Sequence, residues 1–340
     1  MKLLITGGAG FIGSNFIHYI LATYPDDKVV NLDFLTYAGN LENLKAVENH
    51  ENYTFVKGDI NNRELVDFLL KKYQIDVIVN FAAESHVDRS ITNPGVFVKT
   101  NVLGTQCLLD LAKENNIKKF VQISTDEVYG SLGETGFFTE STPLAPNSPY
   151  SASKTGGDLL VRAYYETYGM NVNITRCSNN YGPYHFPEKL IPLLVTNALQ
   201  GKELPIYGDG GNTRDWLHVR DHCSAIDLVV HAGKPGEIYN IGGHNEKTNN
   251  EIVNLIVEKL GVSKNLIKYV KDRPGHDKRY AIDPTKIETE LGWKPHYTFD
   301  VGIVETINWY VNNKEWWENI KLGTYLDYYQ KQYGEQLCLL

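Results

Sequence analysis

Two small groups of residues have the types and spacing needed for proton transfer. Tyr150 and Lys154 lie four residues apart at the start of a predicted helix, so their side chains share one face. A free tyrosine titrates near a pKa of ~10 and a neighbouring ammonium group favours the phenolate, so this pair can remove a proton from a hydroxyl group. Asp126 and Glu127 are adjacent carboxyl groups that can act separately as an acid and a base. An elimination reaction requires both.

Each group also has a simpler interpretation. A tyrosine and a lysine occur at this spacing by chance, and an adjacent aspartate and glutamate are usually two solvated loop acids. The chemical interpretation of Tyr150, Lys154, Asp126 and Glu127 therefore depends on the motifs around them.

A glycine-rich turn follows the first predicted strand. Residues 2–13 read KLLITGGAGFIG, which satisfies both GxxGxxG, with Gly7, Gly10 and Gly13, and GxGxxG, which begins at Gly8. Glycines permit a tight turn and let a helix N-terminus approach a pyrophosphate. Phe11 and Ile12, inside this motif, belong to the same predicted cofactor site. A glycine triplet alone can also be only a turn.

Asp33 ends the next predicted strand, 20 residues beyond Gly13, where an acidic group meets the ribose hydroxyls of a dinucleotide. A negative charge there repels a 2′-phosphate, so we expect NAD rather than NADP. Asp59 and Ile60 follow the third strand, where the adenine would lie, although Asp59 could equally be a helix N-cap. The pair Ala82 and Ala83 follows the fourth strand and belongs to the same site.

Short apolar runs alternate with amphipathic segments of helical length through the first half of the chain. The predicted strands are residues 2–6, 28–33, 54–57, 77–80, 120–124 and 173–176, and the predicted helices are 11–23, 63–73, 96–115 and 150–168. Ser148 is the expected N-cap of the last helix. This alternation predicts an α/β protein with a Rossmann-type, doubly wound parallel sheet.

The pattern becomes irregular after about residue 180, with helices expected at 190–199, 249–260 and 301–312. We predict an NAD-binding Rossmann domain over residues 1–183 and a smaller C-terminal α/β domain, mainly over 184–340, which binds the substrate. The chain is expected to return to the first domain at about 215–243 and 285–312. A cleft between the two parts is the default ligand site.

Composition excludes several classes of protein. The 340 residues carry 33 Lys and Arg against 41 Asp and Glu, a formal net charge of −8, so extensive nucleic-acid binding is not expected. Cys107, Cys177, Cys223 and Cys338 are far apart and lack the spacing of a zinc site or a disulfide framework. We therefore expect no metal, no membrane span and a cytoplasmic location.

With the glycine motif and Tyr150xxxLys154 established, the chain resembles the extended short-chain dehydrogenase/reductase superfamily, many of whose members modify nucleotide sugars. The segment Ser124–Gly130 reads STDEVYG. Epimerases of this superfamily typically have small hydroxyl residues in place of Asp126 and Glu127, and the related decarboxylases usually keep only the glutamate. The block at residues 82–91, AAESHVDRSI, is similar to that of the dTDP-glucose 4,6-dehydratase family.

Further matches to that family extend the resemblance over nearly the whole chain, including residues 179–184, 187–192, 205–208, 214–216, 240–243 and 272–276. The resemblance implies cofactor contacts at Thr100 and Asn180 as well. It implies substrate contacts at Ser85, His86, Thr125, Asn179, Lys189, Leu190, Pro205, Tyr207, Arg214, Asn249, Arg273 and His276. His86 could instead be a structural hydrogen-bonding residue, and Asp88 with Arg89 could be only an ion pair.

The resemblance implies conversion of dTDP-glucose to dTDP-4-dehydro-6-deoxy-glucose and water by internal hydride transfer through bound NAD, as used for deoxysugars such as rhamnose. Tyr150 and Lys154 would remove the C4 hydroxyl proton, Glu127 the C5 proton, and Asp126 would protonate the leaving C6 hydroxyl, with Thr125 on the C4 oxygen. A homodimer formed through the helices before the fifth strand and after Tyr150 is also implied.

Several alternatives stay open at this point. They are a dehydratase for another nucleotide sugar, an epimerase, a decarboxylase, and a non-catalytic NAD-binding regulator. Thymine and uracil differ by one methyl group, worth only ~1–3 kcal/mol of discrimination, and the sequence does not separate them. The segment between Gly130 and Tyr150 lacks the longer acidic insertion of some relatives, which should affect only a surface loop.

Overall fold

The computed structural model describes residues 1–272 and 274–322 of the chain. Within these residues the strands are β1 (Lys2–Thr6), β2 (Lys28–Asp33), β3 (Tyr53–Lys57), β4 (Val77–Asn80), β5 (Lys119–Thr125), β6 (Val172–Cys177), β7 (Asn179–Tyr181), β8 (Leu204–Tyr207), β9 (Thr213–His218), β10 (Ile238–Ile241), β11 (Glu246–Thr248) and β12 (Ile267–Val270).

The α-helices are α1 (Phe11–Thr23), α2 (Arg63–Tyr73), α3 (Val87–Thr92), α4 (Pro94–Phe97), α5 (Thr105–Glu114), α6 (Pro149–Tyr168), α7 (Leu190–Leu199), α8 (Val219–Ala232), α9 (Asn249–Leu260), α10 (Thr285–Leu291), α11 (Phe299–Asn312) and α12 (Lys314–Ile320). Short 3₁₀ turns cover Leu41–Val47, Asp126–Tyr129 and Lys264–Leu266, and a π turn covers Val98–Gly104.

The main sheet is parallel and has the strand order β10-β6-β5-β4-β1-β2-β3. Leu3 and Ile5 of β1 join an apolar cluster with α1 and α8, whereas Leu4 joins a cluster with α2, α5 and α6 on the opposite face. Because both faces are covered, the strands are continuous apolar runs rather than alternating ones. The predicted doubly wound Rossmann-type sheet is confirmed.

A second, smaller region lies beyond the carboxyl edge of this sheet. Strands β7, β9 and β11 form a three-stranded sheet, and β8 pairs with β12. A third apolar cluster joins these strands to α7, α9 and α11 around Tyr181 and Trp216. The second region therefore has its own core and forms one wall of a cleft.

The chain crosses between the two regions more than once. Helix α8 packs against α1, and β10 pairs with β6, so residues 219–241 lie on the main sheet. The segment 285–312 is also expected to return to the first domain, but its two helices lie in different regions. Helix α10 packs against β10 and α8, whereas α11 packs against α7 and β9 in the second region.

The strands predicted in the first half are all present, with bounds that differ by at most one residue at either end. The helix predicted at 96–115 is instead α4, a π turn and α5. The π turn positions Asn101, whose Nδ2 donates to Ser153 Oγ at 2.8 Å and whose Oδ1 accepts from Glu84 N at 2.9 Å. A wider helical turn of this kind often marks a functional site.

Among the described residues, no helix has the length and apolar character required to cross a membrane. Cys107, Cys177 and Cys223 are free thiols. Cys338 lies outside the described residues.

Candidate active site

A cavity of about 510 Å³ opens at the carboxyl ends of β1, β2, β4, β5 and β6. The ends of parallel strands meet there at one edge of the sheet, which is where doubly wound folds bind ligands. Residues predicted for catalysis and for the cofactor line this cavity. They are Gly7, Gly10, Phe11, Ile12, Gly13, Asp33, Asp59, Ile60, Ala82, Ala83, Thr100, Thr125, Asp126, Glu127, Tyr150, Lys154 and Asn180.

The glycine turn is shaped so that side chains cannot enter it. Gly7 has a φ of +69°, and a Cβ at this residue would lie 2.6 Å from Ala82 N. A Cβ at Gly13 would lie 2.5 Å from Gly7 O. Gly10 is the N-cap of α1 and supplies no side chain to it, so the first-turn N–H groups face the cavity edge. This cradle fits a pyrophosphate group.

Asp33 lies at the end of β2, beside the glycine turn. Its Oδ2 accepts a hydrogen bond from Ala9 N at 2.8 Å, and its Oδ1 accepts from Leu35 N at 2.7 Å. Burial raises the pKa of this carboxyl group, and the two N–H groups oppose that shift. Asp33 is therefore fixed where the ribose contact is predicted, which fits NAD.

Asp59 lines the cavity and does not cap a helix. The N-cap of α2 is Asn62, whose Oδ1 accepts from Leu65 N at 3.1 Å. Asp59 Oδ1 instead accepts from Asn61 N at 2.9 Å, which closes the turn before that helix. The helix-cap interpretation of Asp59 is wrong, and the adenine contact stays a prediction.

Asn180, predicted beside the cofactor, is held by groups from two directions. Burial lowers the pKa of His222 to about 3, so its imidazole ring is neutral. The ring Nδ1 lies 2.9 Å from Asn180 Oδ1, which can only accept the hydrogen bond. Asn180 Nδ2 donates to Ser178 O at 3.0 Å. The amide is thus oriented before any ligand enters.

Helix α6 positions Tyr150 and Lys154 in its first two turns. The predicted cap is confirmed, because Ser148 Oγ accepts from Ser151 N at 3.1 Å in a capping box. Both functional side chains are buried. Lys154 Nζ donates to Ile123 O at 2.7 Å, which attaches the ammonium group to the end of β5.

The charges around Tyr150 differ from the sequence expectation. Burial, followed by the negative charge of Glu127, raises the pKa of Tyr150 well above 10. Burial lowers the pKa of Lys154, and Asp158 opposes that shift. The net shift of the Tyr150 pKa is therefore upward, opposite in direction to the shift expected from Lys154.

Thr125 and the acidic pair form the end of β5 and the following 3₁₀ turn. Thr125 Oγ1 accepts from Glu127 N at 3.2 Å and so caps that turn. Asp126 is buried, and its pKa is raised well above the usual value by burial and then by the Glu127 and Asp215 carboxylates. Both effects favour the protonated form of Asp126. Asp126 is buried beside a second carboxyl group, so the solvated-acid interpretation is wrong for Asp126.

Some of the predicted substrate residues also line the cavity. Besides Thr125 these are Ser85, Asn179, Lys189 and Leu190. Lys189 Nζ donates to Ser85 O at 2.9 Å, which connects the second region to the loop after β4. The two walls of the cleft are joined at this point.

His86 is buried in a group of charged side chains and does not appear in the described lining of the cavity. Its Nε2 lies 3.8 Å from Glu188 Oε1, and its Nδ1 lies 4.0 Å from Asp88 Oδ2. Arg89 pairs with Glu188 at 3.2 Å. Arg89 thus pairs with a residue from the other side of the cleft, and the ion pair between Asp88 and Arg89 stays a prediction.

Three further residues predicted to contact the substrate are Pro205, Tyr207 and His276. Tyr207 Oη donates to Asp88 Oδ2 at 3.3 Å, and its ring centroid is 6.1 Å from that of His276. Pro205 lies on β8, the strand that ends at Tyr207. None of these three predicted residues belongs to the described cavity lining.

Arg214 and Asn249 likewise stand apart from the described lining of the cavity. Arg214 is buried, donates to Asp277 O at 2.8 Å, and lies over the Tyr280 ring at 4.3 Å. Asn249 begins α9, and its N donates to Asn212 O at 3.1 Å. Arg273 lies outside the described residues. The substrate roles of these residues stay predictions.

Other cavity residues were not identified from the sequence. They include Phe34, Tyr37, Glu84, Lys99, Ser124, Cys177, Ser178, Glu188 and Trp216. Ser124 and Ser178 lie at or just beyond the ends of predicted strands, which is the signal that could have found them. Glu188 and Trp216 come from the second region, and only the packing of that region brings them to the sheet.

This chain is similar in sequence to known proteins over nearly its whole length. The family model described as GDP-mannose 4,6 dehydratase matches residues 4–306. The chain is 53% identical over 340 residues to dTDP-glucose 4,6-dehydratase from Xanthomonas campestris pv. campestris strain B100, an alignment that covers 95% of this chain and 96% of that protein. It is 50% identical over 369 residues to the enzyme of that name from Escherichia coli, covering 100% of both.

Solved structures give the same relationship. A crystal structure of dTDP-glucose 4,6-dehydratase from Bacillus anthracis in complex with NAD has a TM-score of 0.89 and 59% identity, and covers 94% of this chain and 100% of that chain. UDP-glucose 4-epimerase from Thermotoga maritima, crystallised with UDP-glucose, has a TM-score of 0.86 at 28% identity and covers 92% of this chain and 100% of that chain.

Proposed function

This chain belongs to the dTDP-glucose 4,6-dehydratase family, and we propose that it converts dTDP-glucose to dTDP-4-dehydro-6-deoxy-glucose and water, with NAD as a recycled cofactor. The observation that carries this function is the buried Asp126, whose pKa is raised, beside Glu127 in the same cavity as Tyr150 and Lys154. The product is a precursor for deoxysugars such as rhamnose.

The glycine turn and Asp33 hold the cofactor, with Ala82, Ala83, Thr100 and Asn180 along its path. NAD, when bound, supplies the hydride acceptor for C4 of the sugar and the hydride donor for C6.

Tyr150 is the first base. In its ionised form, the phenolate, Tyr150 accepts the proton of the C4 hydroxyl and becomes a phenol as the C4–H bond is broken. Lys154, attached to Ile123 O at 2.7 Å, brings a positive charge to the same helix face and favours the ionised phenol during this step. Thr125 hydrogen-bonds the C4 oxygen and holds the resulting ketone.

Glu127 and Asp126 perform the elimination. The C4 ketone acidifies the C5 hydrogen, which Glu127 removes as a proton. Asp126 gives its proton to the departing C6 hydroxyl, so that water leaves and a C5–C6 double bond forms. Burial raises the pKa of Asp126 and so favours the protonated form that this step requires.

The pH dependence of the elimination should report on Asp126. Because burial and the neighbouring carboxylates raise its pKa, the protonated acid persists to higher pH than an ordinary aspartic acid and is lost as the pH rises through that pKa. We expect the rate of water loss to fall on the alkaline side. Asp126→Asn should be slower by about a hundredfold or more and should lack this alkaline limb, since an amide does not ionise.

Rates of water loss at a series of pH values would be measured for both proteins by mass spectrometry. Retention of the same alkaline limb in Asp126→Asn would contradict the assignment of the acid.

An epimerase shares this fold, as the Thermotoga maritima enzyme illustrates, so the fold alone does not separate the two reactions. The acidic pair at Asp126 and Glu127 favours dehydration. A non-catalytic NAD-binding regulator would not require a buried acid next to Glu127, Tyr150 and Lys154. Relatives named dTDP-glucose 4,6-dehydratase support thymidine as the nucleoside.

We also propose a cytoplasmic homodimer formed through α5, α6 and the π turn between α4 and α5. Large apolar side chains are exposed on α4, the π turn and α6: Val96, Val98, Leu103, Leu159 and Tyr168. These three elements pack against one another, and exposed apolar side chains grouped in this way are typical of an interface. Sedimentation equilibrium would test this assembly, and a monomer at micromolar concentration would contradict it.

The decisive experiment for the function is mass spectrometry of purified protein incubated with dTDP-glucose and no added reductant. We expect a product lighter by one water and no net consumption of NAD. An unchanged mass would overturn the proposed reaction, and NMR of the sugar would then distinguish an epimer from unreacted substrate.

A further inference from the structure

A buried ion pair lies beneath the catalytic face of α6. Asp158 of α6 and Arg176 of β6 are 1% and 3% exposed in their side chains, and Arg176 Nε lies 2.9 Å from Asp158 Oδ2. Neither side chain lines the described cavity, and neither has a place in the reaction steps above. The pair is therefore outside the machinery already described.

Such a pair is a poor source of stability. Removing two charges from water costs several kcal/mol per ion, and well-packed apolar residues in the same place are often as stable or more so. The presence of this buried pair is better explained by the groups that Asp158 and Arg176 contact.

Asp158 shares a helix face with Lys154. The two residues are four apart on α6, and both side chains are buried. The Asp158 carboxylate opposes the lowering of the Lys154 pKa that burial causes. Asp158 Oδ1 has no hydrogen-bond partner among the described residues, so no donor other than Arg176 is bonded to this carboxylate there.

Arg176 connects the same pair to the turn that carries the acid and the base. Its NH1 donates to Tyr129 Oη at 3.0 Å, and its guanidinium carbon lies 4.9 Å from the centroid of the Tyr129 ring. Tyr129 ends the 3₁₀ turn that begins at Asp126. Tyr129 Oη in turn donates to Asn240 Oδ1 at 2.8 Å, so the end of the turn is anchored from two strands.

We propose that Asp158, Arg176 and Tyr129 form a positioning unit that keeps Lys154 charged and holds the Asp126–Tyr129 turn in register with α6. The unit rests on the proposed function, since it acts through Lys154, Asp126 and Glu127. The Asp158 carboxylate supplies the negative charge near Lys154, and Arg176 pairs with that carboxylate. Tyr129, hydrogen-bonded to Arg176, fixes the end of the turn.

Other ionisable groups also surround this unit. Lys154 faces the Cys177 thiol from β6 in addition to Asp158, and Arg176 faces Tyr129 as well as Asp158. Glu140, from the loop before α6, acts on Tyr129, and Asp126 acts on Cys177. Burial raises the pKa of Cys177 to about 12, so this thiol is neutral, and Asp158 is the carboxylate that acts on Lys154.

The first test is Asp158→Asn, read by carbon NMR of lysine-labelled protein, with Lys154→Arg used to assign the Lys154 signal. We expect the Lys154 pKa to fall by about one unit or more, because a nearby opposite charge is removed. The alkaline limit of C4 oxidation should move down by the same amount. Asp227→Asn is the matched control, since Asp227 is also a buried, hydrogen-bonded aspartate but lies on α8.

An unchanged Lys154 titration in folded Asp158→Asn, or an equal shift in Asp227→Asn, would overturn the role of Asp158. The NMR titration needs no substrate. A wild-type protein that leaves dTDP-glucose unchanged would therefore overturn the proposed function without deciding this inference.

The second test is Tyr129→Phe, which keeps the ring and removes only the hydroxyl, and it applies if Asp158→Asn does not fold. We expect water loss to slow by about threefold to tenfold, the effect of one hydrogen bond, while C4 oxidation keeps its wild-type rate. Reduced cofactor should then accumulate transiently. The positioning unit would be overturned if C4 oxidation and water loss in Tyr129→Phe both kept their wild-type rates, or if both were slowed equally.

Discussion

Glu127→Gln is expected to retain oxidation at C4 and to lose elimination, with product formation reduced by about a hundredfold or more. Glutamine has nearly the same shape but cannot accept the C5 proton. The cap of the turn should survive, because Thr125 Oγ1 accepts from the backbone N of residue 127. Removing the Glu127 charge also removes one cause of the raised pKa of Tyr150, so the first step should not be impaired.

The measurement is a rapid-mixing experiment with dTDP-glucose that follows reduced cofactor by absorbance and product by mass spectrometry. In Glu127→Gln the reduced cofactor should accumulate and stay. Glu134→Gln is the matched control, because Glu134 is an exposed residue of the neighbouring loop, and it should behave as the wild type. Product formation at the wild-type rate in Glu127→Gln would exclude Glu127 as the C5 base.

Tyr150→Phe is expected to suppress the reaction before any cofactor is reduced, again by about a hundredfold or more. The ring of Tyr150 packs edge-on against Phe97, with 6.3 Å between centroids, and phenylalanine can keep this contact. Only the phenolic oxygen is removed, so the variant should fold. Without that oxygen, no group takes the C4 hydroxyl proton as the C4–H bond breaks.

The same rapid-mixing experiment should give neither reduced cofactor nor product in Tyr150→Phe, while NAD binding, measured by calorimetry, should change little. Tyr168→Phe, at the exposed end of the same helix, provides the control and should turn over normally. Prompt appearance of reduced cofactor in Tyr150→Phe would mean that another group is the first base. The two variants together separate oxidation from elimination.

Several features of the site were predictable because they depend on short stretches of chain. The turn at Gly7 needs a positive φ and space free of a Cβ, and both requirements are visible in the glycine spacing. Ser148 caps α6, and the helical repeat then places Tyr150 and Lys154 on one face. The β1–β6 pattern predicts one carboxyl edge, and Asp33 and Thr125 lie on it.

Tertiary structure decided the features that depend on burial and on distant neighbours. The raised pKa of Asp126 follows from its burial, from Glu127 and from Asp215, which is 89 positions later in the chain. Arg89 pairs with Glu188, a partner 99 residues away. The raised pKa of Tyr150 reflects burial and the Glu127 charge.

The amino-acid sequence by itself therefore determined the Rossmann-type sheet, the cofactor turn and the candidates for the reacting groups. These follow from local backbone preferences and from side-chain periodicity, which act over a few residues. Only the tertiary structure decided which carboxyl group has a raised pKa, which charges are paired and which residues close the second wall of the cleft. Those properties depend on how much water is excluded and which distant charges are brought together, and they exist only once the chain has folded.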